Sequence, residues 1–184
     1  MLATHLDAER RYELLRQESR IQAQSILPSK LKDSVKLAGI SQKELVLAKL
    51  WEASPNRQVN WDWKFGYEIY RKRYPKRFEL SIWNDYFLCG LAIGRPSYHG
   101  SKLRLDFAEK VPDNCPIKGH VMPLILLGAE SYALSIGAEE VRLMHPLNER
   151  LVNYYNRLGY KYVEGGSEFG QANEKNPHYL YKKI

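Results

Sequence analysis

The chain holds 184 residues, 44% of them hydrophobic and 27% charged, which suits one folded domain with its own core and excludes wholesale disorder. Its formal net charge is +7, from 28 Lys and Arg against 21 Asp and Glu. Such an excess favours an anionic partner, and a nucleic acid, a phosphate-rich cofactor or an acidic protein would satisfy it equally.

From the N-terminus, "LDAERRYELLRQESRIQAQS" is rich in strong helix formers and spaces Leu6, Leu14, Leu15 and Ile21 as a helix would. Pro28 ends or interrupts it. "SQKE", Ser41 to Glu44, is a capping box and predicts a second helix through Leu45, Leu50 and Trp51. "EASPNRQ" reads as a boundary loop. Residues 1–58 are therefore expected to form an N-terminal helical region packed on a core of residues 59–184. "WDWKFGYEIYRKRYP" reads two ways. Trp61, Trp63 and Phe65 alternate as in a strand, whereas Phe65, Ile69 and Arg73 recur at helical spacing, and the helix is favoured.

After Pro75 the character changes. "RFELSIW" alternates, "ND" turns and "YFLCGLAIG" follows, which is a hairpin signal. "KLRLDFAE" reads as a third strand. A long helix is expected from Val121 to Ile136, with Pro123 in its first turn and Gly137 as its stop. "EVRLMHP" is a short strand. Asn148 then offers an N-cap and Gly159 a C-terminal stop, and between them Leu151, Tyr154, Tyr155 and Leu158 make a buried stripe edged by a tyrosine. "YKYVE" and "HYLYKKI" read as closing strands around the long polar loop "GGSEFGQANEKNP". The order strand, strand, strand, helix, strand, helix, strand, strand implies an α/β fold on a mixed sheet with helical crossovers.

Cys89 and Cys115 stand in no metal-ligand spacing and fit free thiols in a reducing compartment. No stretch reads as a signal peptide or a membrane span, so a cytoplasmic protein without membrane contact is expected. Zinc, haem and Walker-type sites have no motif here, and no metal is expected. Cys89, within an apolar run, reads as core packing, and the four tryptophans read as core anchors.

Chemistry concentrates in "CPIKGHV", which joins the third strand to the long helix. Gly119 sits where the chain bends or approaches a ligand closely. The first-turn amides lack intrahelical acceptors, so the segment is a natural anion site reinforced by Lys118 and His120. An ordinary turn before a helix is the plainer reading.

This strand, bend and helix, followed by "SIGAEEVRL" and "NERLVNYYNRLGY", resemble the second half of the GCN5-related N-acetyltransferase family. The spacing of Asn148, Leu151, Tyr155, Leu158, Gly159 and Tyr160 carries the resemblance, which extends over residues 78–163. It implies a central mixed sheet flanked by helices, with the N-terminal helices as an elaboration. It implies acetyl-CoA as cofactor, its pyrophosphate held by amides near Lys118, Gly119, His120 and Val121, with Asn148 and Tyr155 also on the cofactor side. Val121 stands where the family has glycine or alanine, and Cys115 or Pro116 where it has glutamine or arginine. The implied activity is acetyl transfer to an amine carried by a small molecule, a protein or a charged RNA. Tyr155 would protonate the departing thiolate, though it would serve equally as core packing. Glu79, Asp106 and Glu109 are acids on the central strands, and Glu109 is the best placed to relay the amine's proton. His145 is a base or a loop hydrogen-bonding residue.

Two further readings use the same chain. Arg71, Lys72, Arg73, Lys76 and Arg77, within "RKRYPKR", make a candidate nucleic-acid contact with interleaved aromatics. The altered glycine loop instead suits a catalytically inactive interaction protein on the same scaffold.

Overall fold

Seven strands form one sheet in the computed structural model, which describes residues 5–184. They are β1 (Val35–Ala38), β2 (Phe78–Asn84), β3 (Phe87–Pro96), β4 (Lys102–Lys110), β5 (Glu140–Met144), β6 (Lys161–Val163) and β7 (Tyr179–Lys183), in the spatial order β1-β2-β3-β4-β5-β7-β6. Every neighbouring pair is antiparallel except β4 and β5. The helices are α1 (His5–Ser25), α2 (Ser29–Lys32), α3 (Gln42–Leu50), α4 (Trp63–Arg73), α5 (Val121–Ser135) and α6 (Glu149–Arg157). This is the mixed sheet with helical crossovers and an N-terminal helical elaboration that the sequence implied.

Local signals placed most of these elements. At α3 the capping box forms in full: the Ser41 hydroxyl accepts from the Lys43 amide, and the Glu44 carboxylate accepts from the Ser41 amide. Asp62 caps α4 by accepting from the Phe65 amide, which settles the ambiguous aromatic segment as a helix. Gly137 and Gly159 end α5 and α6 in the left-handed region, at φ 72° and 87°.

The first strand lies where sequence did not place one. β1 pairs with β2 from Val35↔Asn84 to Ala38↔Ser81, inside the stretch assigned to a helical region. The sheet thus starts before residue 59, and residues 5–58 share its core. Residues 1–4 of the N-terminal region lie outside the described residues. Four residues alternate too briefly to announce a strand, and β1 is defined by a partner over 40 positions away.

Two cores form, one on each face. On one face α1, α5 and α6 pack against Leu80, Ile82, Leu103, Val141 and Leu180. On the other, α3, the turn that follows it and α4 pack through Leu45, Trp51, Trp63, Tyr67 and Tyr70 on Leu91 and Ile93. Cys89 is fully buried, and burial pushes its thiol up to about 12, as fits a packing residue.

An ionic network fastens α1 to the start of β2. Arg16, 1% exposed, donates Nε to Glu13, one terminal nitrogen to Glu9 and the other to the Pro75 and Arg77 carbonyls. Arg77 bridges Glu9 and Glu79 at 2.8 and 2.6 Å. Arg77 is therefore buried and ion-paired, not a surface cation. Arg71, Lys72, Arg73 and Lys76 of the same run stay at or near the surface.

Candidate active site

The parallel pair β4 and β5 separates after four residues. Pairing runs from Lys102↔Glu140 to Leu105↔Leu143, yet β4 continues to Lys110. A register shift against β3 at Ile93/Gly94 places Asp106 in a bulge where the strands part. Beyond it, β4 carries backbone groups with no strand beside them on the β5 side, an edge able to pair an extended ligand.

Two adjoining cavities, about 150 and 70 Å³, occupy this wedge, and both are lined by Ala108, Leu147, Leu151 and Tyr155. Tyr155 reaches the wedge from α6, whose N-terminus is fixed by Asn148: its side-chain oxygen accepts from the Leu151 amide at 3.0 Å. Asn148 is thus exposed and occupied as a cap, and it lines neither cavity. The Tyr155 ring packs edge-on to Tyr154 and Tyr160, at 5.2 and 6.5 Å. Its hydroxyl has no hydrogen-bond partner among the described residues, and burial pushes its pKa up from 10.0. Sequence offered core packing or proton donation, and the ring packs on its neighbours while also lining both cavities.

At the wedge's narrow end stands His145, held at φ 52° as β5 ends. Its amide donates to the His178 carbonyl, while its buried Nδ1 has no partner. Burial first, then Arg104, lowers its pKa below the ordinary 6.5. Asp106 lines the same cavity and accepts from the Tyr70 hydroxyl at 2.8 Å and from Arg104. Burial raises its pKa despite these partners.

Glu109 lines the larger cavity together with Tyr155. Both its oxygens are taken, by Arg57 Nε and a terminal nitrogen at 2.7 and 3.0 Å, and by the Trp63 indole at 2.6 Å. Arg57 also donates to the Trp61 carbonyl, so one buried carboxylate ties the connector between α3 and α4 over the wedge. Glu79 belongs to the Arg77 network and lines neither cavity. Arg57 and Met122, which line the wedge, carried no sequence signal, and Trp61, which joins them, was read only as a core anchor. Their positions depend on contacts such as Arg57–Glu109, 52 residues apart.

The glycine loop leads into α5 as expected. Gly119 has φ 87° with open space where a side chain would be, and Lys118 and Gly119 are exposed. The His120 amide donates to the Ile117 carbonyl. Among the described residues no acceptor takes the amides of Gly119, Val121 or Met122, and Pro123 has none to offer. Val121 turns its side chain inward and is 1% exposed. The space comes from β3, where a Cβ on Gly90 would lie 2.5 Å from Val121 Cγ1. Valine at this position therefore fills the core and leaves the outer surface of the loop open.

No protein-family model matches the sequence, and no curated protein matches it either. Solved structures do match by fold. A mutant of the spermidine N-acetyltransferase SpeG from Vibrio cholerae superposes with a TM-score of 0.60 at 14% identity, over 82% of this chain and 94% of that one. Ard1 from Thermoplasma volcanium gives 0.62 at 12%, over 82% and 98%. Arabidopsis thaliana Naa50, in complex with the bisubstrate analogue CoA-Ac-MVNAL, gives 0.56 at 14%, over 82% and 99%. The fold is that of the GCN5-related N-acetyltransferases. Among the described residues no helix is long and apolar enough to cross a membrane.

Proposed function

We propose that the chain is an N-acetyltransferase that moves an acetyl group from acetyl-CoA to an amine. The observation that carries this is Tyr155, a buried residue that lines both cavities of the wedge where β4 and β5 part and whose hydroxyl has no hydrogen-bond partner among the described residues. The residues around it suit the cofactor. The unpaired edge of β4 beyond Asp106 can hydrogen-bond a pantetheine arm, and the amides of Gly119, Val121 and Met122 can hold a diphosphate beside Lys118. Acetyl-CoA, when bound, supplies an activated acyl group on a thiol leaving group.

The chain's own groups divide the proton work. Tyr155 Oη, its pKa raised by burial, holds its proton through neutral pH and delivers it to the departing sulfur. His145, its pKa lowered, is neutral at the same pH and keeps one ring nitrogen free to accept the amine's proton, directly or through water. Glu109, with both oxygens engaged, positions Arg57 and Trp63 and so shapes the wall facing the acceptor. The fold neighbours' names suggest spermidine and a peptide N-terminus as first acceptors to try.

Replacing Tyr155 with phenylalanine tests the assignment, because it removes the hydroxyl and keeps the ring. Turnover, read by thiol release, is expected to fall about ten- to a thousandfold, with the CoA dissociation constant nearly unchanged. Full activity in Tyr155→Phe, or no calorimetric binding of CoA by the unmodified protein, would sink the proposal.

A further inference from the structure

The strand registers align a row of cations that the chain's order hides. Arg95 pairs with Arg104, Arg104 with Arg142, Arg142 with Tyr181, and Tyr181 with Lys161. Directly paired residues project to the same face, so five successive strands place four cations and a tyrosine in one line. At about 4.8 Å between strands, the line is roughly 19 Å long. The next row on this face is Lys102, Glu140 and Lys183.

This face is open. Val141, Leu143 and Leu180 point to the opposite side, into the core under α5 and α6. On the near side α3 and α4 cover only the β1 to β4 half, and the core they build takes no residue from β5, β6 or β7. Lys161 and Lys183 are exposed, and Arg95, Arg104, Arg142 and Tyr181 are half-buried.

Three carboxylates share the face. Glu140 pairs with Arg142, Asp106 with Arg104 and Arg95, and Glu174 reaches Arg104 at 3.6 Å. Six cations against three acids leave the surface positive. The aromatic component is also built: the Arg142 guanidinium lies 4.3 Å from the Tyr179 ring centroid, and Tyr179 and Tyr181 stand 6.4 Å apart on one strand. Rings side by side among cations suit unstacked bases and a phosphate backbone, because a duplex hides the base faces that rings would stack on. A second copy is disfavoured by the same charges, since a two-fold contact through this face would set cations against cations.

We infer that the face of β5, β7 and β6, which α3 and α4 leave uncovered, binds single-stranded nucleic acid, with Arg104 at its border and Arg142, Lys161 and Lys183 following the backbone. This surface is separate from the Arg71–Arg73 turn, which closes α4 and complements its dipole. It does not depend on the acetyltransferase assignment.

Fluorescence anisotropy with labelled single-stranded RNA and DNA of about twelve nucleotides tests it, within the site sizes of comparable platforms. Binding should weaken with salt at a log–log slope of about −3, as for four phosphates neutralised on a single strand. Lys161→Glu with Lys183→Glu, both at exposed positions, should lower affinity at least tenfold and flatten the slope while the melting temperature holds. Tyr181→Ala should lower affinity severalfold, and Tyr155→Phe should leave binding intact. A preference between the two oligonucleotides would identify the sugar. Absence of binding, binding lost on charge reversal at Arg71, Lys72 and Arg73 and not on the sheet, or a dimer that Tyr181→Ala dissociates without any nucleic-acid binding would each overturn the inference.

Discussion

Adding one methyl group at Gly90 should destabilise the protein unless Val121 is trimmed in the same chain. The added Cβ would meet Val121 Cγ1 at 2.5 Å and the Glu109 carbonyl oxygen at 3.3 Å. Carbon atoms rest about 3.5–4.0 Å apart, so roughly 1 Å must be found. Val121 cannot supply it cheaply, since a β-branched side chain in a helix has one strongly preferred rotamer. Overpacking of this kind costs about 1–3 kcal/mol, and the smaller entropy of alanine in the unfolded chain returns up to about 1 kcal/mol. Val121→Ala alone removes two buried methyl equivalents, about 1.6 kcal/mol by transfer, and leaves a void that brings the loss to about 2–3 kcal/mol. In the double variant the methyl added at position 90 enters that void. The double should be more stable than Val121→Ala alone and better than the sum of the singles by about 1–2 kcal/mol. Urea denaturation followed by circular dichroism measures all four proteins, with a constant m-value as the check on two-state behaviour. Additivity within about 0.5 kcal/mol would refute the claim that Gly90 makes room for valine, and with it the account of why the outer surface of the loop stays open.

Two further outcomes follow from the same geometry. Arg16→Ala should cost about 2–4 kcal/mol in urea denaturation, because it leaves the Pro75 and Arg77 carbonyls without the donor Arg16 supplies, while Glu9 keeps Arg77 and Glu13 keeps Arg20. Gly119→Ala should cost about 1–2 kcal/mol in the cofactor-free protein through its φ of 87° alone, since nothing lies near the new Cβ, and should weaken CoA binding in calorimetry by crowding the loop amides.

What could be read from sequence was local. Ser41 and Glu44, or Asn148 and Leu151, sit three residues apart, so cap and partner appear in one short window. The stops at Gly137 and Gly159 were legible for the same reason. What could not be read depended on distant partners. β1 becomes a strand through β2, and Arg77 joins the core through Glu9, 68 residues away. Within "RKRYPKR" nothing distinguishes the buried arginine from its exposed neighbours. Tyr155 was singled out by a motif spacing, whereas the Glu109 contacts to Arg57 and Trp63 arise only when the connector folds back over β4. The paired volumes of Gly90 and Val121 are likewise invisible until strand and helix meet.

On the proposed mechanism, the pH dependence separates the chain's own groups from the acceptor. Transfer would need His145 neutral and Tyr155 protonated. The first holds above a pKa below 6.5, and the second below one raised above 10.0, so the enzyme groups leave a plateau between. A rising limb seen on that plateau must then belong to the acceptor amine, and it should move when an acceptor of different basicity is used. His145→Asn, which tolerates the left-handed φ of 52°, should lower plateau turnover by about 10²- to 10⁴-fold and abolish the acid limb. Stability reports the same group. The unfolded chain takes up a proton near 6.5 while the folded protein still resists it, so the unfolded state binds more protons in that interval. Stability should therefore fall as pH drops through 6.5 towards the folded value, and His145→Asn should remove that component of the slope. Urea midpoints across the acid range and NMR titration of the His145 ring measure it. A His145 that titrates at or above 6.5, or an acid limb that persists in His145→Asn, would transfer the base's role to Asp106, the other titratable group in that cavity whose pKa burial shifts towards neutrality.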